Sequence, residues 1–239
     1  MNLIRFTIRM VLSASGIPEA ILCACLIAEL SGYWLHRLLH SEKVPLLSRS
    51  HMIHHLLIYG PDQPMRTLNY REATSGRFAL GNIGTEWLVP SALVLGFSWL
   101  AMIWLRVPVI DQVFVLATLV VWPFVTFSYL HDRMHLQNPW MARTPVVRYW
   151  FVKARRLHDI HHHRVNDAGR MDTNFGIGFH LFDWLFGTLA TRHRSLNQSG
   201  FEAARLRYGL PPHDAQGPRS MTYVPGKKND GEMRHERRV

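Results

Sequence analysis

"QVFVLATLVVWPFVTFSYLHDRMH", Gln112–His135, runs through nineteen uncharged residues straight into two histidines spaced four apart. As a helix, Gln112–Leu130 would reach roughly 28 Å, about the hydrocarbon thickness of a bilayer. An interior helix of a soluble bundle that long usually carries a polar face, and this stretch has none. The stretch therefore predicts a membrane helix, with His131 and His135 placed where it leaves the apolar phase.

Working outward, Trp87–Leu105 ("WLVPSALVLGFSWLAMIWL") is a second uncharged run of nineteen, joined to the first by the short segment Arg106–Asp111. The two form a hairpin. Upstream, Gly16-Ile17-Pro18 opens another apolar helix that extends to about Leu39, with Pro18 suited to its first turn. Glu19 and Glu29 interrupt it, and a charge inside a membrane helix is a candidate functional group. Met1–Ser13 is polar only at Asn2, Arg5, Arg9 and Ser13, one stripe of an interfacial or half-membrane helix. The expected fold is all-α, a membrane bundle of about three to four helices.

Lys and Arg flank the outer ends of the hairpin, so the positive-inside rule puts them, and a histidine-rich helical cap, in the cytoplasm. The net charge of +10 then reads as a basic cap against anionic membrane lipids. The basic residues form no aromatic-interleaved patch, so nucleic acid is not an expected partner. Cys23 and Cys25 are expected to be small buried hydrophobes. Three regions follow: an interfacial or half-membrane helix at 1–15, a membrane domain at 16–194, and a basic, flexible tail at 195–239. From Pro211 onward the tail has too few apolar residues to build a core.

The chain has fifteen histidines, and ten fall in four groups. "HRLLH" supplies His36 and His40; "HMIHH" supplies His51, His54 and His55. "HDRMH" supplies His131 and His135; "HDIHH" supplies His158, His161 and His162. The order is HxxxH, HxxHH, HxxxH, HxxHH. Histidines four apart on a helix reach a single point, and one three along adds a ligand on the same face. A lone HxxxH is weak evidence; four in alternation predict a cage of nitrogen ligands. Ten over two ions is five each, more than the closed four-ligand site of structural zinc, and imidazole also suits iron. Metal transport or sensing is the competing reading, but the hairpin offers almost no polar path through the membrane.

With these groups in place, the sequence resembles the fatty acid hydroxylase / sterol desaturase superfamily of membrane di-iron oxygenases. "ELSGYWLHRLLH", Glu29–His40, is similar to that family's approach to its first box. "NFGIGFHLFDWLFGT", Asn174–Thr188, is similar to the stretch that follows its last box. The resemblance implies a monooxygenase that hydroxylates, or desaturates, a C–H bond of a lipid-like substrate with two iron ions and dioxygen. Electrons would come from a separate cytochrome b5-like or ferredoxin-like protein. It implies that the ten box histidines are the metal ligands and that Asn174 and Asp183 support the site. Glu29, on one helix face with Tyr33, His36 and His40, is expected to accept the outer ring N–H of a ligand histidine. Bacterial inner membrane or endoplasmic reticulum is the expected location.

Overall fold

The computed structural model describes residues 16–61, 79–80 and 83–212. The helix expected at 1–15, most of the segment between His55 and the hairpin, and the tail beyond residue 212 lie outside the described residues. Eight α-helices are described: α1 (Ile17–Leu39), α2 (Pro45–Ile53), α3 (Thr85–Leu105), α4 (Val109–Pro123), α5 (His131–Met134), α6 (Pro145–His163), α7 (Leu181–Leu185) and α8 (Gln198–Arg207). Two π-helical turns extend this set, His54–Ile58 after α2 and Phe124–Leu130 between α4 and α5. Strand pairing among the described residues is slight: an antiparallel ladder pairing Ala79–Leu80 with Ile83–Gly84, and a bridge between Val165 and Met171.

Among the described residues, two helices are long and apolar enough to cross a membrane, α1 and the continuous helix Val109–Met134. Only 33% and 22% of their apolar windows are buried, whereas the core helix of a soluble protein is mostly covered. Leu22, Leu26, Val113, Val120 and Val121 lie open on their outer faces, and Phe97, Leu100 and Trp104 do so on α3. Exposed apolar area on this scale calls for a non-aqueous neighbour. Cys23 is also exposed on α1, against the expectation of burial.

α1 packs on α4 through residues too small to keep the backbones apart. Ala20, Ala24, Ala28 and Gly32 recur every fourth residue and are all buried. Ala24 and Ala28 meet Leu119, with Val115 and Trp122 beside it. At Gly32 the fit is closest: a Cβ there would lie 2.0 Å from the ring of Phe127. Pro123 ends the regular ladder of α4, since it lacks an N–H and crowds the carbonyl four residues back. The helix continues as a wider π turn, in which the Thr126 hydroxyl donates to the Trp122 carbonyl at 3.0 Å.

Outside the apolar helices, α6 starts on Pro145 and turns Phe151, Ala154, Leu157 and Ile160 inward. Phe151 and Ala154 pack with Leu130, Met134 and Ile177. Of the flexible tail expected at 195–239, the described part, 195–212, is corrected by α8. Phe201, Ala204 and Tyr208 pack with Met52, Leu56, Val165 and Met171 in one core. Asn197 caps α8, its side chain accepting from the Gly200 N–H at 3.0 Å. A Cβ at Gly200 would lie 2.2 Å from the Asn166 carbonyl oxygen, so only glycine permits this approach.

Gly32→Leu should force α1 from α4, destabilising the protein by about 1–3 kcal/mol, the usual scale of overpacking. Thermal unfolding in detergent checks this. Adding Phe127→Ala should recover part of the loss; a double variant no better than the single one would refute the contact.

Candidate metal centre

The ten box histidines converge as two groups of five. His36, His40, His51, His55 and His161 form cluster A; His54, His131, His135, His158 and His162 form cluster B. Within each, one ring nitrogen per residue lies within 4.8 Å of all the others. Each HxxxH box gives both histidines to one cluster, but each HxxHH box is divided. His51 and His55 serve A while His54 serves B; His158 and His162 serve B while His161 serves A. The expectation that the residue three along shares the face of the other two is therefore corrected. On an α-helix, residues i+3 and i+4 point about 100° apart, so they can face neighbouring centres. The clusters abut where the rings of His55 and His162 stack, centroids 3.9 Å apart.

Three of these rings have their outer nitrogen fixed by a carbonyl. The Nδ1–H of His36 donates to Phe175 O at 2.6 Å, that of His161 to Thr173 O at 2.6 Å, and that of His162 to Tyr59 O at 3.2 Å. A carbonyl oxygen only accepts, so Nδ1 carries the proton in each and the neutral ring turns a bare Nε2 lone pair inward. At His36 and His161 that Nε2 is buried without a hydrogen-bond partner, as are Nε2 of His54 and His131.

The other contacts are crowded in a way hydrogen bonding cannot satisfy. Nε2 of His51 lies 3.1 Å from Nε2 of His40 and 3.0 Å from that of His55. In cluster B, Nε2 of His158 lies 3.0 Å from that of His135 and 3.1 Å from that of His162. An imidazole Nε2 has one in-plane direction, holding a proton or a lone pair, so neither central nitrogen can bond both neighbours. One cation per cluster resolves this. Ligands about 2.1 Å from an ion lie about 3.0 Å apart at right angles and about 3.4 Å apart at the tetrahedral angle. The observed spacing fits the right angle, so the donor set suits an ion of five or six ligands better than tetrahedral zinc.

Burial favours neutral rings. His40, His51, His54, His55, His158, His161 and His162 are all held well below the ordinary histidine range, first by desolvation and then by neighbouring histidines. Neutral imidazole is the form that binds metal.

The carbonyls of Thr173 and Phe175 belong to a loop that Asn174 and Asp183 hold. Asn174 is fully buried at φ 55°, a left-handed conformation asparagine tolerates. Its Nδ2 donates to Leu157 O and Ala190 O, and its Oδ1 accepts from Ala190 N–H. Asp183 accepts the N–H groups of Phe175 at 2.7 Å and Gly176 at 2.8 Å, and the Thr188 hydroxyl at 2.8 Å. Burial alone would raise the Asp183 carboxyl; bonds from His180, Gly176 and Thr188 outweigh it and hold the group below the usual range. Neither residue is among the clustered donors; both shape the loop that fixes His36 and His161.

Glu29 is placed otherwise than expected. Its Oε1 accepts the Trp122 indole N–H at 2.8 Å, joining α1 to α4. Backbone carbonyls, not a carboxylate, take the outer N–H of His36, His161 and His162. The sequence gives no signal for these, because any residue type supplies a carbonyl.

Two outcomes follow. Asp183→Asn would set an amide N–H₂ against the loop N–H groups, and metal affinity should fall about 10–100-fold, the scale for groups that orient ligands. Metal content after graded chelation checks this; wild-type retention would refute the role. For pH, the lowered histidines bind fewer protons folded than unfolded, so stability is full above about 6.5 and declines as pH falls below it. Bound metal should leave over the same window, which metal analysis after dialysis from pH 8 to pH 5 tests. Equal retention and equal melting temperature at both pH values would count against it.

No curated protein and no solved structure matches the chain. A family model described as "Fatty acid hydroxylase" matches residues 21–188, which takes in all four boxes, both clusters and the Asn174–Thr188 loop. On a match over well more than half of its length, the chain belongs to the fatty acid hydroxylase family, oxidoreductases that act on lipid-like substrates.

Proposed function

We propose that this protein is a membrane-bound, oxygen-dependent di-iron monooxygenase that hydroxylates a C–H bond of a lipid-like substrate. The observation that carries the reading is the pair of adjacent, buried clusters, each with five imidazole nitrogens and no carboxylate among them. Five ligands leave one position free on a six-coordinate ion, and imidazole donors suit iron. Two such ions, when bound, would supply the activation of dioxygen with two electrons from a separate cytochrome b5-like or ferredoxin-like donor.

The chain's own residues hold the donors and keep water out. Neutral Nε2 atoms face inward because Phe175, Thr173 and Tyr59 carbonyls secure Nδ1 on three rings. The Tyr59 ring lies flat on His135, centroids 3.9 Å apart, and the Phe175 ring meets His36, His40 and His161 edge-on or tilted. These aromatics replace water around the ligands and lower the local dielectric. His36 lies at the end of α1 and His131 at the end of the long apolar helix, so an acyl chain lying along those helices ends at the clusters. The boxes and the basic cap face the cytoplasm.

Protein purified in detergent and loaded anaerobically should hold about two irons per chain, as two five-nitrogen sites require. Incubated with a lipid extract, reductant and oxygen, it should yield a hydroxylated lipid, and His161→Ala should bring turnover to background. An alkene product would instead assign desaturation. Metal flux into vesicles without oxygen consumption, or wild-type turnover by His161→Ala, would overturn the proposal.

A further inference from the structure

A cleft of about 520 Å³ opens beside cluster A, at the end of α1. Its wall includes the cluster ligand His40 and five charged residues, Arg37, Glu42, Lys43, Arg170 and Asp172. The carboxylates are already engaged. Glu42 receives Arg170 Nε on one oxygen at 2.9 Å and Arg207 Nε on the other at 3.4 Å. Asp172 accepts from the Asn166 amide at 3.3 Å. Among the described residues, Lys43 and Arg37 face no carboxylate partner; the Arg37 guanidinium rests over the Trp34 ring at 5.3 Å. Three cations thus share the wall with two carboxylates, Arg207 reaching Glu42 from outside it, and the two cations in no ion pair lie close together in sequence.

We infer that this cleft binds the anionic group, carboxylate or phosphate, of a ligand whose remainder lies against α1. Lys43 and Arg37 supply the charge, and the Asn166 and Ser41 side chains supply polar contacts on the same wall. A single long-chain amphiphile can use both surfaces. Trp34 and Leu38, one turn apart on α1, are exposed beside Arg37 and offer its chain an apolar track. An amphiphile held this way has its charged end against the wall that contains His40. The anion site rests on the proposed lipid oxidation only for the nature of the chain attached to the anion.

The test is binding without turnover, so its failure and a failure of the proposed reaction are separable. Affinities of the iron-loaded protein in neutral detergent are compared for hexadecanoate and hexadecan-1-ol, which share a chain and differ in charge. Hexadecanoate should bind about tenfold more tightly, with the advantage shrinking as salt rises. Arg37→Gln combined with Lys43→Gln should remove the advantage and leave hexadecan-1-ol binding and iron content unchanged. If Arg37→Gln disturbs neighbouring His36 and iron is lost, Lys43→Gln alone should still reduce it. Equal affinities in the wild type, or an advantage undiminished by Lys43→Gln, would overturn the site. Displacement of hexadecanoate by millimolar inorganic phosphate would support the site and assign it to free anions; resistance to phosphate would support it and assign it to a lipid head.

Discussion

Ten imidazoles can share one interior only while they stay unprotonated, and the surrounding fold depends on meeting that condition. A protonated ring would place a buried positive charge within a few ångströms of four others, and both desolvation and repulsion oppose it. A neutral ring must still put its one proton somewhere. Where the proton faces outward on Nδ1, it needs an acceptor of its own. Phe175 O and Thr173 O meet that need at 2.6 Å, so the chain after α6 must turn back across the cluster at a fixed height. The left-handed backbone of Asn174, the Asp183 carboxylate under two N–H groups, and Gly176, whose Cβ would crowd Asp183 at 2.8 Å, all follow from holding that turn.

The two clusters repeat one plan. Each takes both histidines of an HxxxH box at the end of a long apolar helix and the i, i+4 pair of an HxxHH box. Each then receives one histidine from the other box. This exchange makes the centres interdependent: moving α6 displaces His158 and His162 in one and His161 in the other. The stacked His55 and His162 rings lie at the join. Ligands on crossed elements also keep the clusters adjacent, which chemistry shared between two ions requires.

Much of this was legible in the sequence because it depends on residue type and period. Uncharged runs of bilayer length marked the apolar helices, and the alternating box spacings marked all ten clustered histidines. Three features were not legible, each for a physical reason. The partners of His36, His161 and His162 are backbone carbonyls, which leave no trace in side-chain identity. The division of HxxHH between two centres depends on where the neighbouring helices lie, which spacing on one helix cannot specify. Glu29 shares a helix face with His36, but the Trp122 indole reaches its carboxylate from α4.

Beyond these three stands α8, where composition pointed toward flexibility. Its packing residues are few, Phe201 and Ala204 with Tyr208 just beyond the end, and its last turn carries a buried arginine, Arg205. A guanidinium sealed from water is costly unless its donors find acceptors. Arg205 Nη1 donates to Leu56 O at 2.7 Å and Nε to Pro211 O at 2.7 Å. Leu56 lies in the π turn that carries His54 and His55, where widening the helix disturbs the regular pairing of backbone carbonyls. The arginine answers that disturbance from a distant part of the chain. Because the same π turn sends His54 to one cluster and His55 to the other, Arg205 steadies both centres at once, and the described segment 196–212 is structurally part of the site.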